Sequence, residues 1–193
     1  MPDPPVQTML RYTADGGEKN DTQIYMVNHF PGGEGVFALI AILQRPRSRG
    51  RLHLESADYR VQPRIELNFF DDESDVRRLR EGLQLCWRIA EHPSIAQFAE
   101  ALNGPDAAVL ADDDALDAHI RATGSHNFHP VGTAKMGPAG DAEAVVDARG
   151  RVHGVEGLRV ADASIMPTIV RAHTNLTCIM IGEHIAGWIR NGE

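Results

Sequence analysis

Residues 72–90, DESDVRRLREGLQLCWRIA, mark the point at which the periodicity of the chain changes. Apolar side chains recur in this stretch at spacings of three and four, at Val76, Leu79, Leu83, Cys86 and Ala90. Acidic residues crowd its first turn, and Pro93 follows its end. An acidic start, a helical apolar period and a proline stop together predict an amphipathic helix.

The stretches before this helix are typical of β-strands. QIYMVNHF (23–30) and GVFALIAILQ (35–44) are apolar, β-rich runs joined by the turn-forming PGGE, which predicts a hairpin. RLHLESA (51–57) alternates leucines with polar residues, as a half-buried strand does. PRIELNFF (63–70) predicts a further short extended piece, and residues 1–22 predict a loose leading segment.

The stretches after it return to helices and turns. SIAQFAEAL (94–102) continues helically, and DDDALDAHIRAT (112–123) begins a helix behind an acidic cap. Residues 144–164 are dense in Gly and Val, which is typical of short strands and tight turns.

The last predicted helix is TNLTCIMIGEHIAGWIRN (174–191), with Thr174 or Asn175 as its cap. Its apolar residues lie on one broad face: Leu176, Met180, Ile181, Ile185, Trp188 and Ile189. Strands therefore come first, helices next, and a strand–turn–helix last. This order predicts an α+β fold, or a piece of a larger α/β protein.

Composition excludes several classes of protein. The 193 residues carry a net charge of −8, from 19 basic and 27 acidic side chains, without a basic stripe. Nucleic acid is therefore disfavoured as a partner. Cys86 and Cys178 lie far apart in apolar patterns, which indicates buried thiols in a reducing compartment. No signal peptide is evident, VFALIAIL (36–43) is too short to span a bilayer, and a cytoplasmic location is expected.

A dinucleotide-binding fingerprint is present but lacks its context. GEGVFA (33–38) matches G-x-G-x-x-A, and Glu55 follows about 20 residues later, as the fingerprint requires. The helix that it should open would be short, β-rich and stopped by Pro46. A glycine-bearing hairpin turn explains these residues better.

SHNFHPVGTAKMG (125–137) gathers histidines, glycines and a proline in one loop. Pro130 prevents a helix through His126 and His129, so the two rings need not share a face. No acidic or thiol ligand joins them at metal-binding spacing, and no metal site is expected. His126 is interpreted as a loop-capping residue, whereas for His129 a capping and a catalytic role both stay open.

A second polar cluster lies in IMPTIVRAHTNLT (165–177), where His173 comes just before a helix start. A helix N-terminus offers unpaired backbone N–H groups and a partial positive charge. A histidine and an asparagine there suit an anionic or electron-rich ligand edge, and an ordinary capping cluster would have the same sequence. Both interpretations stay open on spacing alone.

Taken in order, HPVGTAKMGP (129–138), AVVDARGRVHGVEGLRVADASIMPTIV (144–170) and HTNLTCIMIGEHIA (173–186) closely resemble the C-terminal signature of the glucose–methanol–choline (GMC) oxidoreductases. These are FAD enzymes that oxidise alcohols. The resemblance is looser over residues 46–70, which are similar to the family's substrate-binding region. It implies an antiparallel-sheet substrate-binding region with helices (23–124), and a C-terminal strand–helix (125–193) that completes an FAD-binding α/β domain.

The resemblance also implies roles for single residues. His129 matches the family's catalytic base, which takes the hydroxyl proton as hydride leaves for flavin N5, and His173 matches the residue that hydrogen-bonds the substrate oxygen. The remaining matches are to flavin-binding positions. Asp162 and Ala163 match positions beside the ribityl and pyrophosphate part, and Asn175, Leu176 and Thr177 match the helix start that faces the pyrimidine edge.

Departures from the family pattern are also visible. Ala134 stands where many members have Cys, and His173 replaces the Asn of other members. The family's N-terminal portion, with its G-x-G-x-x-G strand–loop–helix, has no counterpart in residues 1–124. The chain is therefore expected to be about the last third of such an enzyme. Alone, it is expected to bind FAD only weakly. Its expected partners are that N-terminal portion and a small alcohol.

Two functions follow from these observations. The first is the C-terminal part of an FAD-dependent alcohol dehydrogenase or oxidase, and the second is a non-catalytic remnant or binding module without the cofactor. A histidine-based metal hydrolase lacks acidic ligands at suitable spacing. The retained pair of His129 and His173 favours the first function.

Overall fold

The computed structural model of the chain describes residues 6–27 and 35–193. The chain forms two compact units, each built from two separate stretches. The first unit combines Met1–Gly50 with Leu67–Ser125, and the second combines Arg51–Glu66 with His126–Glu193. Helices and antiparallel strands both occur, so the α+β prediction is confirmed. Among the described residues, no helix combines the length and the apolar composition that crossing a bilayer requires.

A three-stranded antiparallel sheet lies in the first unit. Its strands follow chain order: β1 (Val6–Tyr12), β2 (Thr22–Val27) and β3 (Ala38–Leu43). Ile24, at the centre of β2, pairs with Leu10 on one side and Ala41 on the other, and it is buried. The antiparallel pairing agrees with the predicted hairpin, whose PGGE turn (31–34) lies outside the described residues. Because β3 is a strand, the rejection of the nucleotide fingerprint is confirmed for residues 38–43.

One long helix packs against β2 and β3 of this sheet, and the other helices pack on it or on one another. In the described part of the unit the helices are α1 (Glu73–Glu91), α2 (Pro93–Ala96), α3 (Ala107–Ala111) and α4 (Asp113–Thr123). The predicted helix over 72–90 is confirmed as α1, and the Asp72 side chain caps it by accepting a 2.8 Å hydrogen bond from the Ser74 N–H. Gly82 lets α1 approach the sheet, because a Cβ there would lie 3.0 Å from the Cβ of Ala41.

A small apolar cluster joins α1 to α4. Val76, Leu116 and Ile120 are buried and pack together, with Leu79 and Leu83 of α1 against them. Burying an aliphatic side chain of this size contributes about 1.5–3 kcal/mol. The apolar period read from the sequence is therefore the packing face of α1.

A buried ionic cluster fastens α1 to the loops at one end of the sheet. Arg78 of α1 donates to Asp21 at 2.8 Å and to Asp75 at 2.5 Å, and all three side chains are buried. Asp21 also accepts the N–H of Ala14 at 3.2 Å, and Asp75 accepts the N–H of Ser48 at 2.8 Å. Because its carboxylates are hydrogen-bonded as well as paired, the cluster tolerates its burial.

The second unit has fewer regular elements. They are β4 (Arg51–His53), which pairs antiparallel with β5 (Arg64–Glu66), a 3₁₀ turn (Ala163–Ile165) and α5 (Asn175–Arg190). Its core consists of buried apolar residues from the 3₁₀ turn, α5 and the loops: Val146, Ile165, Met166, Ile181 and Ile185. The Gly- and Val-rich stretch 144–164 forms isolated β-bridges and turns.

Gly150 is the tightest point of that stretch. Its φ is +73°, and a Cβ would lie 2.5 Å from the carbonyl oxygen of Val160 and 2.8 Å from the side chain of Ile185. The Val160 N–H donates to the Gly150 carbonyl at 2.8 Å. A side chain at this position would therefore both strain the backbone and separate α5 from the turns beneath it.

The structure differs from the sequence interpretation at two places. Residues 1–22 are predicted to be loose, yet Val6–Tyr12 form the edge strand β1, which pairs with β2. The apolar side chains of Met9 and Leu10 in this strand are exposed. Residues 94–102 are predicted to be helical, but α2 ends at Ala96. Gln97 is its C-cap, and the chain leaves the helix there.

Candidate active site

His129 lies in the loop that follows α4, within the second unit. The neighbouring His126 accepts the N–H of Phe128 at 3.2 Å, and its ring meets the Phe128 ring edge-on at 4.6 Å. This local turn gives Phe128 a φ of 58° and leaves its side chain exposed. His126 is therefore occupied in stabilising the loop, in agreement with the capping interpretation.

A short ladder of backbone hydrogen bonds fixes the rest of the loop. The N–H groups of Ala134 and Met136 donate to the carbonyls of Ser164 and Ile165 at 3.0 and 2.8 Å. Gly132 has a φ of +87°, and its N–H donates to the carbonyl of Ala163 at 3.4 Å. The histidine loop is thus attached to the 3₁₀ turn that contains Ala163.

The two histidines that the sequence singled out come together. The ring centroids of His129 and His173 are 5.0 Å apart, with 53° between the ring planes. His129 is half-buried and His173 is exposed. The fold therefore brings one sheltered and one accessible imidazole to a place where a single small molecule can reach both.

Thr174 is the direct partner of His129. Its hydroxyl oxygen lies 2.8 Å from Nδ1 of the His129 ring, and Thr174 is only 6% exposed. The sequence indicates Thr174 only as a helix cap, and this bond is not among its predictions. The signal that was available is its position directly after His173, at the start of the last helix.

The surroundings keep His129 neutral. Burial, and to a lesser extent the charge of a protonated His173, lower the pKa of His129 below its ordinary value of about 6.5. An imidazole with a lowered pKa has a free lone pair at neutral pH. His129 can therefore accept a proton from a bound hydroxyl group without first losing one of its own.

Asp162 and Ala163 lie at the 3₁₀ turn. The Asp162 carboxylate accepts the N–H of Ser164 at 2.7 Å and so caps the turn, while the residue itself is exposed. Ala163 is half-buried against the core of the second unit. Because the backbone ladder joins this turn to the histidine loop, Asp162 and Ala163 belong to the same substructure as His129.

Asn175, Leu176 and Thr177 form the first turn of α5. Asn175 and Leu176 are exposed, the latter by 77%, and Thr177 is half-buried. Thr174, at the N-cap position, makes no side-chain capping bond to this turn. The positive end of the α5 dipole is therefore accessible to an electron-rich group.

In residues 6–27 and 35–193, no group of three or more His, Cys, Asp or Glu side chains is arranged to hold a metal ion. The first unit has an apolar pocket of about 320 Å³ lined by Met26, Gly35, Val36, Phe37, Ile95 and Phe98.

Comparison with known proteins gives a consistent family. Residues 46–182 match the family model described as GMC oxidoreductase. An oxygen-dependent choline dehydrogenase from Pseudomonas aeruginosa (strain LESB58) is 44% identical over 77% of this chain and 26% of the relative. A 5-(hydroxymethyl)furfural oxidase from Methylovorus sp. (strain MP688) is 40% identical over 79% of this chain and 31% of the relative. The chain thus spans about a quarter to a third of the length of these relatives.

Solved structures share the fold. Formate oxidase superposes with a TM-score of 0.80 at 28% identity, covering 91% of this chain and 32% of that protein. Pyridoxine 4-oxidase from Mesorbium loti superposes with a TM-score of 0.82 over 97% of this chain and 38% of that protein. At 22% identity, the second likeness concerns the fold alone.

Proposed function

The chain belongs to the GMC oxidoreductase family and corresponds to its C-terminal part, and from this membership we propose that it forms the substrate side of an FAD-dependent enzyme that oxidises CH–OH donors. The observation that carries the proposal is the pairing of His129 and His173, whose rings lie 5.0 Å apart. The pairing places a neutral imidazole beside an accessible one. This arrangement suits the removal of a proton from an alcohol.

Two structural neighbours of the chain carry FAD: the formate oxidase of Aspergillus oryzae, whose FAD is modified, and an FAD-dependent oxidoreductase from Chaetomium thermophilum. The residues present here fit such a group, because the first turn of α5 lacks a side-chain cap from Thr174 and carries the exposed Leu176. When bound, FAD supplies the acceptor for the hydride of the alcohol carbon. We propose that Asn175, Leu176 and Thr177 hold its ring edge, and that Asp162 and Ala163 lie beside its chain.

In the proposed mechanism His129 is the base. Its neutral ring takes the proton of the substrate hydroxyl, and its position is fixed by the loop and by Thr174. His173, which is exposed, donates a hydrogen bond to the substrate oxygen and so orients the alcohol. The positive end of α5 stabilises negative charge that develops next to its first turn.

The division of the chain follows the same proposal. Residues 23–124 bind substrate, and residues 125–193 carry the histidine pair and complete the flavin site. An N-terminal FAD-binding portion is the further partner, which is supported by the coverage of only 26% of the choline dehydrogenase relative. A reducing, cytoplasmic setting is supported by the free thiols of Cys86, which is buried, and Cys178.

The absorbance of bound flavin, and its bleaching by an alcohol, test the proposal. We expect the purified chain to show little flavin absorbance, and a mixture with a separately supplied N-terminal FAD-binding portion to show a flavin spectrum that an alcohol bleaches. His129→Ala should lower the bleaching rate by at least about 100-fold, the usual contribution of a general base.

His126→Asn is the matched control, because it changes a histidine of the same loop that caps the turn and leaves His129 in place. We expect it to bleach at close to the normal rate. Normal bleaching with His129→Ala would refute the role of His129. A mixture that binds flavin but is never bleached by any alcohol would favour the non-catalytic binding module.

A further inference from the structure

We propose that Thr174 is a positioning residue that selects the tautomer of His129: its hydroxyl accepts a hydrogen bond from the Nδ1–H and leaves the lone pair on Nε2. The inference rests on the proposed role of His129 as base. It adds Thr174 to the site, a residue that the sequence analysis does not assign to catalysis or to cofactor binding. The distance between Thr174 Oγ1 and His129 Nδ1 is 2.8 Å.

The backbone of Thr174 explains why its side chain turns to the histidine. An N-cap residue normally has an extended backbone, from which its side chain reaches the first free N–H groups of the helix. Thr174 instead has helical dihedral angles, φ −74° and ψ −15°, and its carbonyl already accepts the N–H of Cys178 at 2.9 Å. Its hydroxyl is therefore directed away from capping and is available to His129.

The bond also joins two rigid parts of the second unit. Thr174 is buried and is positioned by the backbone of α5, while His129 lies in the loop that the backbone ladder attaches to the 3₁₀ turn. A hydroxyl held by a helix gives the ring a fixed partner on its Nδ1 side. A positioned partner on one ring nitrogen sets which nitrogen carries the proton and which face of the ring is free.

The direction of the bond follows from the needs of a neutral ring. Because the pKa of His129 is lowered by burial and by His173, the ring carries one proton at neutral pH. A sheltered ring N–H without an acceptor costs free energy, and a hydroxyl that accepts it can turn its own proton to another acceptor. A proton on Nδ1, donated to Thr174, leaves an unprotonated Nε2, which is the state that a base needs.

The test measures the tautomer directly. In the full chain with ¹⁵N-labelled histidine, the signals of His129 are assigned by their loss in His129→Asn, and the nitrogen shifts report which ring nitrogen carries the proton. We expect wild type to have the proton on Nδ1. Thr174→Val, which keeps the shape and removes the hydroxyl, should give a mixture of tautomers, and Thr174→Ser should restore the single form.

Each outcome of the NMR experiment either supports or overturns the role of Thr174. A wild-type ring with its proton on Nε2, or a folded Thr174→Val protein with an unchanged tautomer, would overturn the inference. If Thr174→Val does not fold, the wild-type and Thr174→Ser spectra give the answer. A purely structural role for Thr174 would alter stability without exchanging the proton between ring nitrogens.

The rate of alcohol-driven bleaching is a second readout. Loss of one neutral hydrogen bond worth about 0.5–1.5 kcal/mol corresponds to a fall of roughly 2- to 10-fold in Thr174→Val, with recovery in Thr174→Ser. The tautomer assignment and the proposed catalytic function can be refuted independently of each other. If His129→Ala keeps its bleaching, the catalytic role is wrong and the Nδ1 proton assignment is unaffected.

Discussion

At the scale of single residues, the protonation state of His129 governs what the loop can do. The ring is half-buried and has a second imidazole 5.0 Å away, and both conditions disfavour the imidazolium. A base must be neutral to act. The activity of His129 as a base is therefore at its full value when the pH lies above the pKa of the ring, and it declines as the pH falls through that pKa.

This gives a prediction for the pH profile of alcohol-driven flavin reduction. Because the pKa of His129 is lowered, the acidic limb should have its midpoint below about pH 6.5, the ordinary value for histidine. Replacing His173 by Asn removes one cause of the lowering, so the limb should move to higher pH. His126→Asn should leave the limb where it is. A His173→Asn limb that moved to lower pH would contradict the electrostatic coupling of the two rings.

The histidine pair shows how much of the site the sequence predicts. His129 and His173 are identified by the motifs around them, and the fold brings them together. The hydrogen bond between His129 and Thr174 could not be predicted, because it depends on a helical backbone at a residue that sequence rules place in extended conformation. Side-chain direction at a helix start is set by two dihedral angles that a capping pattern does not report.

At the scale of elements, α1 holds the first unit together through its polar face as well as through its apolar one. Val76 packs on α4, and Arg78, two positions later, reaches the buried carboxylates of Asp21 and Asp75. The helix therefore fixes the loops that precede β2 and follow β3. Removing the guanidinium would leave two buried carboxylates without their positive partner.

We predict that Arg78→Met lowers the free energy of unfolding by about 3–5 kcal/mol, the usual cost of breaking a buried ion pair from one side. Arg77→Met, one residue earlier on an exposed part of α1, should change it by no more than about 0.5 kcal/mol. Urea unfolding followed by circular dichroism measures both. Equal stability of the two variants would mean that the cluster contributes little.

The elements differ in how well the sequence predicts them. α1, α4 and α5 have a clear apolar period and recognisable first residues, and each forms where it is expected. β1 is missed because an edge strand with exposed apolar side chains lacks the alternation that marks a half-buried strand. The stretch after α2 has helix-forming residues, yet no buried face of the unit requires them to continue the helix.

At the scale of the whole molecule, α5 has two apolar faces with different environments. Ile181 and Ile185 are buried in the core of the second unit, whereas Ile179 and Met180 are exposed. A broad exposed apolar face on a helix is typical of a surface that another part of a protein covers. The proposed N-terminal portion is the partner that would cover it.

Two substitutions in α5 separate these faces. Ile181→Gln should lower the free energy of unfolding of the chain by about 2–5 kcal/mol, because it removes buried apolar contacts and buries an amide. Ile179→Gln, with a parent side chain 55% exposed, should change it by no more than about 0.5 kcal/mol. Urea unfolding measures the first effect.

Ile179→Gln should instead weaken the association with the N-terminal portion, measured by the concentration of that portion that restores flavin absorbance. Undiminished association would indicate that the exposed face of α5 has another use. Marked destabilisation of the isolated chain by Ile179→Gln would contradict the exposure of this face.

The alternation of the chain between its two units affects how the protein is made on the ribosome. Residues 51–66 are translated before any part of 126–193 exists, although the two stretches belong to one unit. The hairpin of β4 and β5 therefore precedes its partner stretch in synthesis, and its unit is completed only after residues 126–193 have been made. For the same reason, neither unit can be cloned as one uninterrupted segment, and a product terminated near Ser125 would carry residues 51–66 without the other stretch of their unit.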